Sequence, residues 1–174
     1  MIAWVLAISF SVVSYAQEKS GGFPGVAVSQ EVKTKIKTGG TVAIFLNGND
    51  ALFTKVMEDA LAIQLINTGF AVVPREKLEK TVGEQIEKKR KEKTEGGINA
   101  LEIGKAINAD SIITGTVFVE PGEQKSFSVK IASFQLIDAS TEKSLLNLLF
   151  EFDKGKSLTE VSRVFIDTVK QNMR

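Results

Sequence analysis

Hydrophobic and polar positions alternate with two different periods along this chain, and the switches between them mark out its elements. Thr41–Leu46 (TVAIFL) is an apolar run short enough for a strand and apolar on both faces, as a central strand requires. After the polar loop Asn47-Gly48-Asn49-Asp50 the period lengthens. Leu52, Phe53, Val56, Met57, Ala60, Leu61 and Leu65 recur at helical spacing, which leaves Thr54, Lys55, Glu58 and Asp59 for the solvent side. Asn49 or Asp50 is placed to cap this helix by accepting a bond from its first amides. Gly69 suits a left-handed helix end, Phe70–Val73 reads as a second strand, and Pro74 stands where a new helix starts. That helix shows Leu78, Val82 and Ile86 four apart. From Glu87 to Glu95 every residue is charged or polar, so the helix either projects into water, held by pairs such as Glu84–Lys88 and Glu87–Lys91, or frays.

Asn99 with Glu102 resembles a capping box for a third helix that buries Ala100, Ile103, Gly104 and Ile107. Ser111–Val119 is a strand, followed by the Pro121-Gly122 turn signal. In Ser126–Ile137 the apolar positions Phe127, Val129 and Ile131 give way to Phe134 and Leu136, a slip near Ser133 that predicts a bulge there. After a hairpin loop at Asp138–Lys143, Leu146, Leu148, Phe150 and Phe152 share one strand face. Ser157 and Glu160 then cap a helix carrying Val161, Val164, Phe165 and Val169. Nearer the start, Val32, Thr34 and Ile36 alternate with Lys33, Lys35 and Lys37, the pattern of an edge strand with lysines in water.

The order is α/β: a parallel strand–helix–strand start, then an antiparallel meander, giving a mixed sheet of four to six strands with helices on its faces in two or three layers. Ile2–Val13 is apolar and Ser14-Tyr15-Ala16 suits a signal peptidase, so residues 1–16 are expected to be a signal peptide cut after Ala16. An uncleaved anchor is the alternative reading. Residues 17–38 are expected to be a flexible leader with the edge strand, and 39–174 a single α/β domain.

Composition narrows the chemistry. The 174 residues include no His and no Cys, which removes imidazole bases, thiol nucleophiles, disulfides, a lipidated cysteine and His/Cys zinc sites. A net charge of +1 gives no bulk attraction to nucleic acid or anionic membrane. No catalytic, cofactor-binding or metal-binding constellation is visible in the sequence.

The stretch TVAIFLNGND…ALAIQLINTGFAVVPREKLEKTVGEQ resembles the domain shared by the CsgG curli-secretion family, the LpoB penicillin-binding-protein activators and the amino-terminal domain of TolB. Phe70, Val72, Val73, Arg75 and Leu78 stand at its F-x-V-V-x-R and Leu positions. Gly104, Ala109, Asp110, Ile112, Ile113, Gly115 and Val117 match a second signature, and Leu136, Asp138 and Thr141 an L-x-D-x-x-T strand end. The resemblance covers Thr41 to Met173. It implies an α/β fold and a non-enzymatic periplasmic accessory protein, associated with the outer membrane or peripheral to it, that binds an envelope protein or forms a homo-oligomer. The alternatives are a self-assembling subunit of an export or surface structure and, more distantly, a small-ligand-binding or hydrolytic α/β protein.

Three groups of residues are the candidates for contact. Lys88, Lys89, Arg90 and Lys91 could meet an anionic partner, although Glu84, Glu87, Glu92 and Glu95 offset them and describe a solvated helix end. Lys33, Lys35 and Lys37 guard an edge against aggregation, or offer it for strand addition. Asn47, Asn49 and Asp50 follow a strand and open a helix, where α/β folds bind ligands, while a cap and turn explain them equally. Asp110 is weighed as a lone base or a turn residue.

Overall fold

The computed structural model describes residues 25–29, 40–92, 99–121 and 127–173. These form β1 (Gly25–Val28), β2 (Thr41–Gly48), α1 (Ala51–Asn67), β3 (Ala71–Val72), α2 (Arg75–Lys91), α3 (Ala100–Ala106), β4 (Ser111–Pro121), β5 (Phe127–Asp138), β6 (Ser144–Lys156) and α4 (Leu158–Met173). The six strands make one mixed sheet in the order β1-β6-β5-β4-β2-β3. β2 runs parallel to both β3 and β4, and the remaining neighbours are antiparallel.

The layering follows from the path of the chain. It steps from β2 outward to β3, then back across β2 to β4. Right-handed crossovers in opposite directions put their helices on opposite faces. Accordingly α1, joined by α4, lies over Ile44, Leu46, Ile113, Val117, Phe134, Leu136, Leu146, Leu148 and Phe150. α2 and α3 lie on the other face, over Ala43, Val73, Ile112 and Ala139. The first face holds an aromatic centre in which the Phe134 ring stands 5.0 Å from that of Phe165 and 6.3 Å from that of Phe150.

Two glycines of the second signature exist because something large comes close. A Cβ on Gly104 would collide with the Ile112 side chain, so the glycine lets α3 approach β4. A Cβ on Gly115 would strike the Ser133 carbonyl and crowd Phe134, whose ring needs that space. Gly69 has φ 94, the left-handed end expected of α1. The α4 cap also forms as expected: Ser157 Oγ accepts from Glu160 N at 3.2 Å, and Glu160 Oε2 accepts from Ser157 N at 3.0 Å. The Ser157 N–H and then its hydroxyl, which donates to the same Oε2 at 2.9 Å, hold the Glu160 carboxyl below its ordinary range.

Several expectations are corrected. Leu52 and Val56 face solvent, at 70% and 44% exposure, while Thr54 is buried with its Oγ1 donating to the Asp50 carbonyl at 2.7 Å. α1 carries apolar residues almost all round, so periodicity alone did not fix which side turns inward. Glu58 is half-buried rather than solvent-facing, because its Oε1 accepts from Leu46 N at 3.0 Å. Ile86 and Val164 are exposed, and Ile166 takes the inward position on α4. The slip in β5 falls between Val129 and Ile131, opposite the Phe118/Val119 shift, a few residues before Ser133. The edge position beside β6 is taken by Gly25–Val28; the lysine-bearing segment 32–37 lies outside the described residues.

Candidate functional site

The β2–α1 loop sits at the carboxyl end of the strand where the order reverses, the usual ligand crevice of an open α/β sheet. Here its side chains are engaged by the fold. Asp50 Oδ1 accepts from Phe53 N at 2.8 Å and caps α1. The Asn49 amide exchanges two bonds with the β4 backbone, Nδ2 to the Val119 carbonyl at 2.8 Å and Val119 N to Oδ1 at 2.9 Å. A ligand seated between β2 and β4 would have to displace that stitch. Asn47, expected in the loop, belongs instead to β2, which continues to Gly48 in register with β4, and it lines the open face described below.

The other signature residues are engaged in the same way. Asp110 Oδ2 accepts from Thr41 N at 2.7 Å, and its own N–H donates to the Thr41 carbonyl at 2.8 Å, which locks the starts of β2 and β4 together. Asp138, buried, accepts through Oδ1 from Ser140 N at 2.9 Å and Thr141 N at 2.7 Å, and so builds the β5–β6 turn. Arg75 Nη2 donates to the Lys55 carbonyl at 3.1 Å and to Asp59 at 2.8 Å, fastening the start of α2 to α1. It also reaches Glu58 at 3.4 Å. Burial raises the Glu58 carboxyl above its ordinary range, against the pull of the Leu46 N–H and of Arg75.

The basic cluster ends a helix that continues to Lys91. Lys88, Arg90 and Lys91 are exposed; Lys89 turns back to Glu102 of α3 at 2.9 Å and clamps the two helices. That bond lowers the Glu102 carboxyl. The cluster therefore divides into one residue that holds the fold and three that face water.

What the sequence did not disclose is an uncovered stretch of sheet. Beyond the end of α3, the face shared with α2 and α3 carries Asn47, Thr114, Thr116, Ser133, Gln135 and Asn147, the floor of an open trough of about 690 Å³ that Gly25, Ala27 and Leu149 also line. Phe118, Ile131 and Leu149 stand exposed at its end. Strand alternation carries this signal, since T-G-T-V-F and I-A-S-F-Q-L put polar or lone apolar groups on one side, but only the layering shows that no helix among the described residues covers it. The trough floor has hydroxyls and neutral amides, which can hydrogen-bond a partner and cannot exchange protons near neutral pH. Among the described residues no group of three or more acidic, His or Cys side chains could hold a metal, and no helix is long and apolar enough to cross a membrane.

No protein-family model and no curated protein matches the sequence. Solved structures do match. PelC from Paraburkholderia phytofirmans, solved as a dodecamer, superposes with a TM-score of 0.53 at 15% identity over 88% of this chain and 97% of that one. The two share this α/β fold. The LpoB C-terminal domain from Salmonella enterica matches at 14% identity and a TM-score of 0.43, over 68% of this chain and 86% of that one. TolB from Acinetobacter baumannii matches at 15% and 0.43, over 89% of this chain and 31% of that one. LpoB and TolB, resembled in the sequence motifs, thus reappear among the structural matches.

Proposed function

We propose that this is an exported, non-enzymatic accessory protein that works by protein–protein contact in assembly or secretion at the cell envelope. The observation that carries this reading is the division of labour among its residues. The side chains with chemistry to offer, Asp50, Asp110, Asp138 and Arg75, are taken up in holding the fold, while apolar groups and neutral amides stay open on the surface. Export by a signal cut after Ala16, a leader over 17–38 that lends the edge strand β1 to the sheet, and a single domain over 39–174 belong to the same proposal, as does contact through Lys88, Arg90 and Lys91. A photo-crosslinking residue at Thr116, and another at Arg90, should each be tried in cells. Capture of one envelope protein, identified by mass spectrometry, is expected from at least one position. Robust nucleotide or ester turnover by the purified protein, or no capture from either position, would overturn the proposal. A second reading, a self-assembling subunit, is favoured by the likeness to a protein solved as a dodecamer.

A further inference from the structure

The outward side of α1 is an apolar stripe. Leu52, Val56, Ile63 and Ile66 lie within about 40° of one line down the helix at about 100° per residue. They are 70%, 44%, 58% and 58% exposed. On the opposite side of the sheet Phe118, Ile131 and Leu149 form a diagonal across β4, β5 and β6: Phe118 and Ile131 are register partners, and Leu149 pairs with Ser133, two residues along. These three are 45%, 42% and 49% exposed. Beside them the floor is small: Gly25, Ala27, Thr116 and Ser133 leave room for a ridge to approach.

We infer that these two surfaces are halves of one interface, the α1 stripe of one copy seating on the open sheet face of the next. This rests on the self-assembly reading above and names the surfaces that would perform it. Three features favour a second copy as the occupant. Each of the seven side chains leaves on the order of 100 Å² in water. Together that is about 700 Å², the apolar content of an interface of about 1,200 Å². Charge is complementary at the rim, since exposed Lys55 flanks the stripe and exposed Glu151, the register partner of Ile131, flanks the diagonal. A net charge of +1 sets up little repulsion between copies.

The contact is head-to-tail rather than two-fold. Asp59 lies at the middle of the stripe, so two α1 helices paired antiparallel about that point would set carboxylate against carboxylate. Against the sheet face, the Asp59–Arg75 pair meets the neutral amides of Gln135 and Asn147 and the hydroxyl of Thr116. An interface made of two different patches on opposite sides propagates from copy to copy and closes into a ring where its rotation allows.

The test uses the protein as it accumulates in cells from its full reading frame, purified without detergent and measured by light scattering over a concentration series. Wild type should form a discrete species larger than a dimer. Ile63→Asp and Leu149→Asp should each weaken association at least tenfold while keeping wild-type circular dichroism and melting. Their one-to-one mixture should stop at a dimer, because only one intact pair of surfaces remains. Val56→Lys and Phe118→Lys replace either variant that fails the fold check. Lys55→Glu should weaken assembly, and adding Glu151→Lys should restore it. A strictly monomeric wild type, assembly that survives both aspartates, or loss with Ile63→Asp alone would each overturn the inference. A monomer that still crosslinks to an envelope protein would overturn only this inference and leave the accessory-protein reading standing.

Discussion

The two faces of the sheet are built from the same strands and do opposite things. Under α1 and α4, inward residues are large and fully enclosed, with Phe134, Phe165 and Phe150 in ring contact and Met57 and Leu61 sealed above them. On the far face α2 and α3 cover only one end, through Ile103, Ile107 and Leu78, and the rest is Thr, Ser, Gln and Asn with an apolar diagonal. One face has finished burying its surface. The other has stopped part-way, and that difference separates the residues that stabilise the molecule from those free to meet something else.

The sharpest way to break the comparison is to truncate matched aromatics. Phe134→Ala should lower unfolding free energy by about 3–5 kcal/mol in denaturant melts, since it removes a ring from a closed core and leaves a cavity. Phe118→Ala, half exposed in water on the other face, should change the monomer by less than about 1 kcal/mol. Comparable losses would mean the open face is covered within the monomer. Next, Gly104→Val should destabilise by about 1–3 kcal/mol by forcing α3 off Ile112. Its effect should be local, seen as faster amide exchange in α3 with the α1 amides unchanged.

Smaller effects come from the carboxylates. Glu160→Gln should lose about 0.5–1 kcal/mol at neutral pH, by weakening the α4 cap. Because the folded Glu160 carboxyl is held low, its contribution is present above the ordinary carboxylate pKa and disappears as pH falls through the lowered one. Melts of variant and wild type should therefore converge at acid pH. Glu58 has the opposite sign. Its raised carboxyl favours the fold below the ordinary pKa, and this contribution is lost as pH rises through the raised one. Glu58→Gln, which can still accept from Leu46 N, should then leave stability at neutral pH unchanged or slightly higher; a marked loss would mean that Arg75 outweighs burial.

Much of this was legible beforehand, and the reasons differ by element. β2 could be placed because an apolar run on both faces fits only a strand covered twice. The caps could be placed, at Asn49 or Asp50 for α1 and at Ser157 for α4, because each bond is satisfied within four residues, and the structure selects Asp50 for the first. α1 misled because its apolar residues cover nearly the whole circumference, so Leu52 and Val56 read as core although the sheet lies on the Thr54, Met57, Leu61 and Leu65 side. Asp138 could be read with its partners, since Ser140 and Thr141 lie beside it in the expected hairpin loop, whereas the roles of Asp110 and Arg75 were visible as motif positions without theirs. Asp110 and Arg75 reach across 69 and 16 residues respectively, and such closures leave no local pattern.

The sequence by itself determined the kinds of elements, their order, most of their ends and the family of folds they suit, because periodicity, capping and turn chemistry act over a few residues. It also removed imidazole and thiol chemistry by composition alone. Only the tertiary structure decided which face each helix covers, that Asn49 stitches β2 to β4 across the ligand crevice, and that the described helices leave the middle of one sheet face open. Those outcomes depend on crossover direction and strand order, which are properties of the whole chain's path. The same strand residues could have been core or surface until the helices had chosen their sides.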